Sequence, residues 1–216
     1  MFGYAHVPWF KKHQKMIDEA ELADIAGRWD QAQAADEVLT GAGYVRIGLD
    51  HYALPGDSLA RAAKAGRLRR NFQGYTVDPA PVLLPMGPSA IGRFPEGMAQ
   101  NHKATPRWSG AIDAGRLPVE RGVRLTPEDR LRAELIERVM CDLAVDVEAV
   151  CARHAAEPEQ LEASLDQLRA LESRGLCAVD GLRVTVAPQA ARLVRVVASA
   201  FDARLNPGPG RHSAAI

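Results

Sequence analysis

The sequence predicts an α/β fold that passes into a mostly helical, winged-helix-like unit, and three observations carry that expectation. Leu22, Ile25, Ala26 and Trp29 recur at helical spacing, Gly41 and Gly43 close the run, and a β-rich stretch with Val45 and Ile47 follows. That succession of helix, turn and strand is an α/β unit. Thr126-Pro127-Glu128-Asp129 then marks a strong helix start, with Thr as N-cap, Pro in the first turn and acids at the positive end of the helix dipole. Finally, Asp180-Gly181 between two short apolar runs is a hairpin signal.

Taken in order, residues 1–8 read as a strand end running into a loop closed by Pro8, so the chain opens inside a structural element. Residues 44–49 form the next strand, and Asp50-His51-Tyr52 lie at its carboxyl end, where α/β sheets gather their chemistry. Residues 57–65 predict a short helix, and residues 82–84 a strand interrupted by Pro85 and Pro88. The stretch 100–113 reads as partly helical and 116–124 as a charged linker. Beyond Thr126, Leu135, Ile136, Val139, Met140 and Leu143 share one helix face. Further helices are predicted over 147–154, over 158–173 with Gly175 as its stop, and over 190–201. The expected domains are residues 1–115, residues 120–205, and a tail over 206–216.

Composition narrows the function classes. The 216 residues are 47% hydrophobic and carry 27 basic against 27 acidic side chains, which gives no global pull toward nucleic acid or anionic membrane. No apolar run is long enough to cross a bilayer, and Cys141, Cys151 and Cys177 are too few and scattered for a disulfide framework, so a cytoplasmic setting is expected. Metal-site spacing is absent too. Although a winged helix raises DNA binding, Glu157, Glu159, Glu162, Asp166 and Glu172 outnumber Arg169 and Arg174 on its third helix region. Phosphates would repel such a helix, and no nucleic-acid partner is expected.

The sharpest local feature is cationic. Arg61, Lys64, Arg67, Arg69 and Arg70 stand in a stretch, 58–77, without a single acid, and Phe72 and Tyr75 follow closely. Guanidinium forks suit carboxylates or phosphates, aromatics suit stacked bases, and a solvated helix face accounts for the charge equally well.

Several runs together resemble the oxygen-independent coproporphyrinogen III oxidases, radical S-adenosylmethionine enzymes of haem synthesis. They are Phe2-Gly3-Tyr4-Ala5-His6-Val7-Pro8, Gly48-Leu49-Asp50-His51-Tyr52-Ala53, Arg70-Asn71-Phe72-Gln73-Gly74-Tyr75-Thr76, Ser89-Ala90-Ile91-Gly92, Gln100-Asn101 and Arg211-His212-Ser213-Ala214-Ala215-Ile216. The resemblance implies that residues 1–115 are the later strands and helices of a partial parallel β/α barrel. It implies S-adenosylmethionine contacts at Ala5 and Ile91, and it offers the four propionates of coproporphyrinogen III as anions for Arg69, Arg70, Asn71 and Gln73.

Departures from the family pattern limit what the resemblance transfers. The family's Cys-x-x-x-Cys-x-x-Cys motif, which holds a [4Fe–4S] cluster, is not in this sequence, and Pro85 and Pro88 stand where the family has glycine and a small residue. Without three thiolates no cluster can reduce S-adenosylmethionine. The expectation is therefore a truncated oxidase, inactive alone in decarboxylating coproporphyrinogen III to protoporphyrinogen IX. The alternatives are one half of a split enzyme completed by a separate N-terminal chain, and a porphyrin-binding module without catalysis.

Overall fold

The computed structural model describes residues 3–205. The first two residues and the expected tail at 206–216, with its Arg211-His212-Ser213-Ala214-Ala215-Ile216 run, lie outside that range. The mixed α/β class is as the sequence predicts, but its sheets are small. Seven α-helices, α1 (Ile25–Gly41), α2 (Ser58–Lys64), α3 (Thr105–Asp113), α4 (Pro127–Asp142), α5 (Val147–Arg153), α6 (Glu162–Glu172) and α7 (Val194–Ser199), are interspersed with ten short strands among the described residues.

Those strands pair in four groups. β1 (Val45–Ile47) pairs with β2 (His51–Ala53), and β3 (Arg69–Asn71) with β4 (Gly74–Thr76). β5 (Ile91–Phe94), β6 (Gly97–Asn101) and β7 (Val119–Arg124) form one three-stranded sheet. β8 (Ala144–Asp146), β10 (Arg183–Val186) and β9 (Cys177–Asp180) form another, with β10 central. Every ladder among the described residues is antiparallel, so the parallel pairing expected of a barrel segment is not among them. The reason is local: β1–β2, β3–β4, β5–β6 and β9–β10 are joined by tight turns, which only antiparallel neighbours permit.

Two expectations change in detail. The charged stretch 116–124 is not a linker: β7 occupies most of it, exposed along its length and paired to β6. The stretch 82–84 contributes one bridge, Leu83 to Arg93, at the open edge of β5. Pro85 therefore follows an edge contact and removes no donor from a central ladder.

The larger core belongs to the second half. Leu131, Leu135 and Val139 of α4, Val150 of α5, Leu161, Leu168 of α6, Val184 of β10, Val194 and Val197 of α7, and Phe201 are each at most 1% exposed. The Thr126 N-cap forms as the sequence predicts, here within a capping box: the Thr126 side chain accepts from Asp129 N, and the Asp129 carboxylate accepts from Thr126 N. A smaller core joins Ile47, Ala53, Ala60, Ala62, Leu68 and Tyr75 to Cys141 of α4. The apolar spacing that predicted α1 does not bury it; α1 has no buried residue and Ile25 is 72% exposed. A polar clasp fixes it instead. The Asp36 carboxylate accepts from Arg46 and from the Tyr52 hydroxyl and lies 3.5 Å from Arg192, whose guanidinium sits over Trp29.

Candidate functional site

The conspicuous polar cluster is built where the β1–β2 turn meets the β3–β4 hairpin on α4. Gly48 opens that turn at a φ of +57°, and a Cβ on it would stand 2.1 Å from the Tyr75 hydroxyl. Only glycine allows the turn to close over the ring. Tyr75 then bridges two elements: its hydroxyl donates to Met140 O at 2.9 Å and accepts from Leu49 N at 3.0 Å. Burial pushes the Tyr75 hydroxyl above its ordinary pKa, so it stays a protonated donor at neutral pH.

Around Tyr75 stand three polar side chains. The Arg70 guanidinium lies 4.5 Å from the ring centroid, a cation–π contact, and its Nη1 is buried without a hydrogen-bond partner. His51 meets the same ring edge-on at 5.1 Å, and its Nδ1 is 2.7 Å from Asp50 Oδ1. Gly74, at a φ of +131°, would carry a Cβ 3.0 Å from the His51 ring. The hairpin tip is set by Asn71, whose side-chain oxygen accepts from Gln73 N at 2.8 Å, leaving Gln73 exposed.

Strand alternation separates the arginines that are adjacent in sequence. Arg70 faces Tyr75, while Arg69 turns to the opposite side, 3.6 Å from Glu137 of α4. Arg69 there lines a cavity of about 610 Å³ with Arg61, Arg67 and Arg138. Glu137 braces both faces, because it also accepts from Arg70 N at 3.0 Å.

The other predicted positions lie elsewhere. Ala5 is exposed, and its carbonyl accepts from the Gln14 side chain at 3.0 Å; that buried amide also takes Val7 N. Ile91 opens β5, held by an arrangement that explains the Gln100-Asn101 run. The Asn101 side chain, 2% exposed, donates to Pro85 O and Gly87 O, and Gln100 donates to Ser89 O. Pro85 packs so closely on Gly92 that a Cβ there would fall 2.7 Å from the ring. No hydrogen bond joins Ala5, Ile91 and the Arg70 cluster to one another among the described residues. Sequence reasoning did not find Glu137, Arg138, Gln14 or Asn101 as the braces; only the tertiary pairing reveals them.

The residues present do not fit an iron–sulfur cluster. Cys141, Cys151 and Cys177 are all buried, on α4, α5 and β9. Burial pushes their thiols up, that of Cys141 to about 12, the reverse of what a thiolate ligand needs. No group of three or more His, Cys, Asp or Glu among the described residues could hold a metal ion, and no described helix is long and apolar enough to cross a membrane.

Comparison with known proteins places this architecture. Residues 125–193, which contain most of the larger core, match the HemN C-terminal domain. Residues 125–193 are thus similar to the HemN C-terminal domain, on a chain of mixed α/β class. Across its full length the chain matches the C-terminal half of the oxygen-independent coproporphyrinogen III oxidase family, as the sequence resemblance implied. It is 51% identical to the oxygen-independent coproporphyrinogen III oxidase of Bradyrhizobium diazoefficiens, over 100% of this chain and 48% of that protein. It is 34% identical to the Helicobacter pylori protein of the same name, over 96% and 46%. The solved structure of coproporphyrinogen III oxidase (HemN) from Escherichia coli, described as a radical SAM enzyme, superposes with a TM-score of 0.88 at 33% identity, covering 94% of this chain and 47% of that one. The chain spans about half the length of the curated relatives it matches.

Proposed function

We propose that this chain supplies the substrate-facing C-terminal portion of an oxygen-independent coproporphyrinogen III oxidase, acting in the cytoplasm with residues beyond these 216 that hold the [4Fe–4S] cluster and most of the S-adenosylmethionine site. In this reading the chain performs no oxidation alone. The observation that carries it is the β3–β4 hairpin: a family-matching run folded so that Arg70 presents a buried, unpartnered Nη1 beside Tyr75, with Gln73 exposed at the tip. An orphaned guanidinium donor is the group a propionate carboxylate would satisfy. Arg70, Asn71 and Gln73 form the proposed substrate element, Arg69 of the same run facing the other side of the hairpin, and Ala5 and Ile91 are the proposed S-adenosylmethionine contacts.

The two contact positions suit backbone or apolar roles. Ala5 is held by its carbonyl, and Ile91 is aimed by the Asn101 and Pro85 brace. The buried, unactivated cysteines support placing the cluster ligands on another segment.

The test is complementation under anaerobic conditions. This chain, mixed or co-expressed with an N-terminal segment of a relative bearing the cysteine motif, is expected to release carbon dioxide from coproporphyrinogen III when S-adenosylmethionine and reductant are present. Each part alone should be inactive. Arg70→Ala should reduce the reconstituted rate by at least tenfold. A folded, cluster-loaded mixture that leaves the substrate unchanged would overturn the reading.

A further inference from the structure

On the side of the β3–β4 hairpin facing away from Tyr75, the cavity of about 610 Å³ has walls from α2, β3 and α4. Four arginines are among its lining residues: Arg61 from α2, Arg67 and Arg69 from the approach to and start of β3, and Arg138 from α4. No acidic side chain lines it. Val77 and Ala62 supply apolar wall, and Ser58 a hydroxyl at the rim.

The charge in this cavity is only partly compensated, and from behind. Asp142 pairs with Arg138 at 2.8 Å, and Glu137 approaches Arg69 at 3.6 Å, both carboxylates belonging to α4. Arg138 is further fixed by donating to Leu68 O at 2.9 Å, so its guanidinium is held in place. The carboxylates that flank the lining residues in sequence, Asp57 and Asp78, accept from Leu59 N and Ala80 N and do not line the cavity. Arg61 donates only to Gly56 O, and Arg67 has no side-chain partner among the described residues. Four arginines on one concave surface, two of them without a carboxylate partner, leave a positive charge there that favours an anion. Two arginines without an ion-pair partner, beside one held in place, suit a ligand with more than one oxyanion group, and the apolar wall tolerates a carbon body.

We propose that Arg61, Arg67, Arg69 and Arg138 form a binding site for a small polyanion bearing carboxylate or phosphate groups, on the opposite face of the hairpin from the Arg70–Tyr75 cluster. The inference stands on the cavity and does not require the porphyrinogen reading. Ligand entry ties α2, β3 and α4 together, and the site acts on the same hairpin that displays Arg70.

The test uses the whole 216-residue chain at low salt, with titration calorimetry against pyrophosphate and, separately, coproporphyrin III and its tetramethyl ester. One of the two anions is expected to saturate at one per chain and to weaken as salt rises. Arg67→Ala and Arg61→Ala should each weaken it by about tenfold or more, Arg67→Lys by less, and Arg116→Ala, an exposed arginine elsewhere, hardly at all. Circular dichroism confirms that the variants fold. Pyrophosphate binding assigns a phosphate ligand, and coproporphyrin binding that is lost on esterification assigns a carboxylate one. The proposal is overturned if neither anion saturates, if the ester binds as well as the acid, or if Arg116→Ala weakens binding as much as Arg67→Ala. Loss of complementation with intact anion binding would sink the oxidase reading and leave this site standing.

Discussion

Gly48 and Tyr75 depend on each other. The turn residue needs both its left-handed backbone and its missing side chain, because a methyl would enter the tyrosine ring. Gly48→Ala combines an unfavourable φ with overpacking and is expected to destabilise the chain by about 2–4 kcal/mol, measured by urea denaturation. Tyr75→Phe keeps the ring but leaves Met140 O and Leu49 N without their partner, at a cost of about 1–3 kcal/mol. If Gly48→Ala were neutral, the turn would have to close elsewhere. Asp129 offers a test by pH. Arg204 and Thr126 hold its carboxyl well below the ordinary 3.8, so its contribution is full above pH 4 and disappears as pH falls further, once the folded carboxyl takes a proton. Asp129→Asn should therefore lower Tm at pH 7, and the gap to the parent chain should narrow steadily in acid. A gap that persists unchanged at pH 2 would show that the cap, not the charge, is at work.

At the scale of elements, the sequence signals that survive are those whose cause is local. The α4 start, the α2 helix and the Asp180-Gly181 turn each depend on residues within a few positions, and each forms as predicted. The β3–β4 hairpin was hidden, because its stability comes from α4: Glu137 accepts from Arg70 N, Arg138 donates to Leu68 O and Met140 O receives Tyr75. For the same reason the basic run looked like one patch, when strand alternation divides it between two faces. The stretch 116–124 was misread because β7 is a wholly exposed edge strand, whose mixed charges are also what a linker would carry. Glu137→Ala isolates the hairpin's anchor. Amide hydrogen exchange at Arg70 should accelerate by about tenfold or more, while amides of α4 stay protected, since their bonds run within the helix. Equal acceleration in both would mean that the hairpin and α4 open as one unit.

At the scale of the molecule, the two cores are unequal, and the smaller depends on the larger more than the larger on the smaller. The residues of the larger core all lie between Leu131 and Phe201, in the stretch expected as a separate domain at 120–205. The smaller core gathers its residues between Ile47 and Tyr75 but closes only on Cys141, and Leu49 packs against both cores. α1 brings no buried side chain, and its clasp through Asp36 reaches Arg192, again in the second half. The second half thus contains every buried residue of its core and takes only the partly buried Leu49 from the first, whereas the first borrows α4 to complete its own. Cut at residue 120, the piece 120–205 is expected to unfold as one cooperative transition, because burying the larger core offsets its chain entropy. The piece 1–115 is left with a small core open on one side and three groups of short antiparallel strands, and should show no cooperative transition. Limited proteolysis of the intact chain should accordingly cut first before Thr126 and accumulate the C-terminal fragment. A protease-resistant N-terminal fragment, or a cooperative transition in 1–115 alone, would reverse that order of dependence and move the stabilising contacts away from α4.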